Sequence, residues 1–203
     1  LEALERYLKG VPPRSGMAFV VVQHLDPTHQ GIMPELLQRA TAMPVVQVTD
    51  RLRVKPDCVY VIPPNKDMAI LHGVLHLLAP EAPRGLRLPI DYFLRSLGED
   101  QRDCAVGVIL SGMGTDGTLG ARAIKENDGV VVVQEPASAK FDAMPRSAIQ
   151  AGAADFIAAP EGMAAKILAF FRRAPATRDQ PILSEKTQSA LEKVTILLRA
   201  QTG

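Results

Sequence analysis

Apolar positions along the chain alternate between two kinds of segment. Leu1, Leu4 and Leu8 recur at helical spacing, and residues 17–22 then form a short, almost wholly apolar run, the pattern of a strand covered on both faces. A helical segment follows over 31–40, and residues 44–48 and 58–62 again read as strands. Residues 69–77 differ, because Gly73 separates two short apolar arms; this predicts a small β-hairpin. Pro89 opens a helix with Ile90, Phe93, Leu94 and Leu97 on one face, 104–110 is a buried strand, and 117–127 a helix closing at Gly129. Then come a strand over 130–133, short elements over 145–150 (helix) and 155–157 (strand), and a helix over 161–173 with Ile167, Leu168 and Phe171 inward. Repeated βα alternation predicts an α/β fold: a doubly wound, mostly parallel sheet with helices on both faces and a small hairpin. In such a sheet functional groups gather in loops at the C-terminal ends of the strands.

Composition sharpens this picture. With 203 residues, 47% hydrophobic and 22% charged, the chain can bury a substantial core in one domain, assigned here to residues 1–173. Residues 174–183 have linker composition, and Ser184 caps a helical pattern over 184–203 that carries Leu191, Val194, Ile196, Leu197 and Leu198. A net charge of +1 leaves no basic footprint for a phosphate backbone, so nucleic acid is not an expected partner. No apolar stretch approaches the roughly 20 residues that span a bilayer, which argues against membrane insertion. The two cysteines, Cys58 and Cys104, read as small buried thiols of a protein in a reducing, cytoplasmic compartment.

Three loops carry candidate chemistry. His24 follows the first strand; an imidazole there can serve as a general base, and a histidine merely hydrogen-bonded in its loop is the alternative. Gly112, Gly114 and Gly117 fit G-x-G-x-x-G between a strand and a helix, with Glu135 after the next strand, the fingerprint of a dinucleotide site. Asp116 opposes that reading, since its carboxylate would compete with a pyrophosphate for the same helix amides. A capping carboxylate or one that orients a histidine suits it better, and a plain N-cap of the following helix is the simplest role. The third loop, 140–147, offers Arg146 to an anionic or carbonyl group. His72 and His76 fall on hairpin arms rather than one helix face, which disfavours a metal pair. His29 receives no role.

Taken together, Val22-Gln-His24, Ile62-Pro-Pro-Asn65, Leu88-Pro-Ile-Asp-Tyr-Phe-Leu-Arg-Ser96, Leu110-Ser-Gly-Met-Gly-Thr-Asp-Gly117 and Met144-Pro-Arg146 resemble the catalytic domain of CheB-type chemotaxis receptor methylesterases over residues 1 to about 173. The resemblance implies a serine hydrolase whose Ser-His-Asp triad demethylates, and in many members deamidates, glutamyl sites on the cytoplasmic helices of chemotaxis receptors. His24 and Asp116 match the family's His and Asp. The Met113 backbone N–H is implied as an oxyanion donor, Met144 and Arg146 as substrate contacts, and no cofactor or metal is needed. The family's nucleophile lies in G-x-S-x-G-G just before a segment like Leu1-Glu-Ala-Leu4, so it is expected upstream of Leu1; Ser111 matches a position outside the triad. The order Ser, His, Asp differs from that of α/β-hydrolases. Residues 190–203 resemble the opening helices of a CheR-type methyltransferase, implying a fused or adjacent methyltransferase module. Two other readings stand beside this one: a binding module of the same fold without turnover, and a dinucleotide-dependent oxidoreductase.

Overall fold

A computed structural model describes residues 1–23, 32–80 and 87–173. His24, the linker over 174–183 and the helix expected over 184–203 lie outside the described residues. The chain opens with α1 (Glu2–Lys9), β1 (Phe19–Val21), α2 (Ile32–Gln38), β2 (Val45–Gln47), β3 (Leu52–Arg53) and β4 (Val59–Val61). It continues through β5 (Asp67–Leu71), β6 (Val74–Leu78), α3 (Pro89–Gln101), β7 (Val106–Ile109) and α4 (Thr118–Glu126). The last described elements are β8 (Val130–Gln134), α5 (Ala143–Gln150), β9 (Phe156–Ala158) and α6 (Pro160–Arg173).

Two three-stranded parallel sheets, β1-β4-β2 and β7-β8-β9, carry the architecture. Because neighbouring side chains on a strand point to opposite faces, each sheet feeds two cores. On one face Tyr60, Ile62, Ile109, Val131 and Val133 pack with Phe93 and Leu94 of α3, Ala121 and Ile124 of α4, and Ala148 of α5. On the other, Phe19, Val21, Val59, Val61, Val130 and Val132 pack with Tyr7 and Leu8 of α1, Leu37 of α2, and Met163 and Ile167 of α6. Since both sheets contribute to both cores, they act as one layer between two layers of helices, the doubly wound arrangement expected.

The hairpin is present and larger than expected. β5 and β6 pair antiparallel, and β3 adds a third strand opposite Leu75 and Val74. A strand of two residues carries too little periodicity to be read from sequence. His72 (φ 51°) and Gly73 (φ 69°) are both left-handed, as a tight two-residue hairpin turn requires. Asp100 of α3 accepts the Gly73 N–H at 3.0 Å, and Ser96 accepts that of Ile70 at 3.1 Å, so α3 anchors the hairpin.

Several expected boundaries shift by one to three residues, because the apolar runs overhang the paired segments at both ends. Cys104 is exposed in a short 3-10 turn rather than buried, while Cys58 is half-buried. Leu1 is also exposed, and α1 instead buries Ala3, Tyr7 and Leu8. Among the described residues no helix is long and apolar enough to cross a membrane.

Candidate active site

β7 ends at the buried Ile109, and the chain then turns through 110–117 before entering α4. Gly114 (φ 80°) and Gly117 (φ 92°) supply the left-handed conformations of this turn, which side chains with a Cβ rarely adopt. The turn is strapped to the loop that follows β8. Gly112 N–H donates to the Phe141 carbonyl at 3.0 Å, Met144 N–H donates to the Gly112 carbonyl at 3.1 Å, and Ser111 Oγ accepts the Phe141 N–H at 3.0 Å. A Cβ at Gly112 would lie 2.2 Å from Met144 Sδ, so a side chain here would displace that of Met144.

Gln134, 1% exposed at the end of β8, ties the straps to the sheet. Its Oε1 accepts the Ser111 N–H at 2.8 Å, and its Nε2 donates to the Ser138 carbonyl at 3.0 Å. One buried amide thus satisfies groups on both loops. Sequence reasoning passed over Gln134, although a polar residue directly after four valines was a visible mark.

Asp116 is 5% exposed, and its cap is not the expected one. The N-cap of α4 is Gly117, without a side-chain cap. Asp116 reaches instead to the neighbouring helix: Oδ2 accepts the Ile90 N–H at 3.1 Å and Oδ1 the Asp91 N–H at 2.9 Å. These belong to the first turn of α3, where Pro89 has no N–H to offer and Leu88 provides no side-chain cap. The positive end of the α3 dipole therefore faces the Asp116 carboxylate. A carboxylate oxygen can accept more than one hydrogen bond, so this anchoring is compatible with an imidazole N–H as a further partner.

Asp91, only 4% exposed, returns the arrangement: its Oδ1 accepts the Gly120 N–H in the first turn of α4, at 2.6 Å. Burial pushes the Asp91 carboxyl above its ordinary range and the charge of Asp116 adds to this, while the Gly120 N–H and the Arg95 guanidinium oppose it. Because Asp91 holds that amide, the first turn of α4 is already committed to a carboxylate, which weighs against a pyrophosphate there and against the dinucleotide reading.

Met113 is 75% exposed at the tip of the turn. Met144 sits half-buried against Gly112, and Arg146 is exposed on α5, its Nε donating to Asp142 Oδ2 at 2.6 Å. The structure therefore brings Met144, in the first turn of α5, against the turn that carries Met113 and Asp116, with Arg146 further along the same helix. Among the described residues no group of three or more His, Cys, Asp or Glu side chains could hold a metal ion.

The CheB methylesterase domain family matches residues 1–167. The chain belongs to this family. A protein-glutamate methylesterase/protein-glutamine glutaminase of Anaeromyxobacter dehalogenans is 34% identical over 173 residues, covering 84% of this chain and 51% of the relative. A 104.1 kDa uncharacterized protein of Rhodobacter capsulatus is 46% identical over 123 residues, 61% of this chain but 13% of its own length. The crystal structure of the Thermotoga maritima CheB methylesterase catalytic domain superposes with a TM-score of 0.77 at 26% identity, covering 83% of this chain and 92% of that one. The chain thus has the CheB catalytic-domain fold, and it spans about half or less of several curated relatives it matches. Those with assigned names are called protein-glutamate methylesterases, which are carboxylic ester hydrolases.

Proposed function

We propose that the complete protein is a cytoplasmic protein-glutamate methylesterase that demethylates, and also deamidates, glutamyl sites on the cytoplasmic helices of chemotaxis receptors. The observation that carries this reading is Asp116: a buried carboxylate at the C-terminal end of a parallel strand, fixed by two backbone N–H groups in a chain of the CheB family. In the proposed mechanism a serine from sequence upstream of Leu1 attacks the glutamyl ester carbonyl while His24 takes its proton. The Met113 N–H helps hold the oxyanion, a contact worth about 3 kcal/mol in the transition state. His24 then protonates departing methoxide, and the acyl-enzyme is hydrolysed by a water that His24 deprotonates, giving glutamate and methanol. Asp116 holds the imidazole in the required tautomer. Met144 and Arg146 contact the substrate at the joined loops, and residues 184–203 begin an adjoining methyltransferase module.

The test is methanol release from methylated receptor. The complete protein is expected to be active, His24→Ala to abolish most of the activity, and Asp116→Asn to lower kcat by about 10⁴-fold through the wrong tautomer. Residues 1–203 alone are expected to release none. Equal release by residues 1–203 and the complete protein would show that another residue is the nucleophile, and an inactive complete protein would favour a binding module.

A further inference from the structure

We propose that Asp91 is the positioning residue of this site, locking the turn that carries Asp116 onto the N-terminus of α3. The inference rests on the reading of Asp116 as the group that orients a catalytic imidazole. Its basis is a pair of crossed caps. Asp116, two residues before α4, accepts N–H groups from the first turn of α3; Asp91, in the first turn of α3, accepts an N–H from the first turn of α4. Each carboxylate caps the helix that the other precedes or belongs to, so neither helix end can shift without disturbing both. Asp91 enters twice, since its own backbone N–H is the donor to Asp116 Oδ1.

The packing makes this contact exact in placement. A Cβ at Gly120 would lie 2.6 Å from Leu94 Cβ and 3.0 Å from the Asp91 Cα, so α4 rests backbone against α3 at the residue whose N–H Asp91 holds. A second close approach follows further along, where a Cβ at Gly98 would meet the Ala123 carbonyl at 3.0 Å. With two such contacts the helices form one unit, and the carboxylate pair stands at its open end beside the catalytic turn.

Stability alone is a poor reason for this choice of residue. Placing a second buried carboxylate beside Asp116 costs desolvation and like-charge repulsion, and burial together with Asp116 raises the Asp91 carboxyl above its ordinary range. The charged groups facing Asp91 are Asp116, from the turn before α4, and Arg95, on its own helix. What the cost obtains is a fixed rotamer for Asp116, held on both oxygens. An angular error there would misplace the imidazole.

Two variants separate positioning from simple structural support. Asp91→Asn keeps an acceptor for Gly120 and removes the charge; Asp91→Ala removes both. In residues 1–203, followed by NMR, Asp91→Ala is expected to move the amide protons of Ile90, residue 91 and Gly120. Asp91→Asn should leave these amides near their original shifts, because the Asn side-chain oxygen still accepts the Gly120 N–H. In the complete protein, Asp91→Ala should lower kcat by roughly 10- to 100-fold with KM within about twofold. Asp91→Asn should recover activity to within about threefold and move the acid limb of the kcat profile to lower pH. Unchanged amide shifts of Ile90 and residue 91 in Asp91→Ala would overturn the proposal, as would kcat and KM changes no better rescued by Asn than by Ala. A complete protein that releases no methanol would instead sink the methylesterase reading, and the NMR arm would still decide whether Asp91 positions Asp116.

Discussion

Gln134 shows how much one buried side chain can hold. Its amide is the partner of the Ser111 N–H and of the Ser138 carbonyl, so replacing it by the similarly sized leucine strands polar groups on both loops. Gln134→Leu is expected to cost about 1–3 kcal/mol, read from urea unfolding, and to weaken turnover in the complete protein because the turn bearing Met113 loses its anchor. At Gly112 the problem is space rather than satisfaction. Gly112→Ala would drive a methyl group into Met144 Sδ, and the expected loss is again about 1–3 kcal/mol, with the strap between residues 112 and 144 visibly loosened in hydrogen exchange.

At the scale of elements, two helical glycines make a matched comparison. Gly120 lies in α4 against α3, where a methyl group would overlap Leu94 and crowd the Asp91 backbone, whereas nothing lies within 4 Å of a Cβ built at Gly162 in α6. Alanine favours a helix interior over glycine by about 1 kcal/mol. Gly162→Ala should therefore raise the unfolding free energy by up to that amount, while Gly120→Ala should lower it by about 1–3 kcal/mol through overpacking. The same helix pair predicts a pH dependence. The Asp91 carboxyl is raised on folding, so the folded state holds its proton more tightly than the unfolded state. That contribution to stability is complete below the ordinary carboxylate range and is lost as pH rises through the raised value. Urea unfolding of the wild type and Asp91→Asn over this range should show the wild type's relative stability greatest at low pH and declining as pH rises.

At the scale of the molecule, β8, like β4, contributes to both cores, with Val131 and Val133 on one face and Val132 on the other, all fully buried. Val131→Ala and Val132→Ala should each cost about 2 kcal/mol from lost burial and the cavity left behind, even though they face different helices. Native-state hydrogen exchange should accordingly find β8 among the most protected segments, opening only with global unfolding. The proposed division of the chain at residues 174–183 is checked in the same measurement: the proposal that residues 184–203 belong to a separate module expects them to exchange far faster than β8, and equal protection would overturn it.

The sequence by itself determined the alternation of strands and helices, the two-faced burial of the valine-rich strands, the hairpin around Gly73 and the positions that matched the family. These follow from periodicity and turn chemistry, which act over a few residues and so leave their mark in local order. It also singled out Asp116 and led to a local N-cap as the plain expectation, because helix capping is ordinarily settled within one turn. Only the tertiary structure decided which helix that carboxylate serves. The amides that Asp116 holds lie about 25 residues earlier in the chain, and the Gly120 amide in the first turn of its own helix is held by Asp91 instead. Gln134 and the third hairpin strand were hidden for a related reason: a buried amide and a two-residue strand acquire meaning only from partners that folding brings alongside. Helix–helix approach at Gly98 and Gly120, set by the absence of side chains, turned these separate positions into one site.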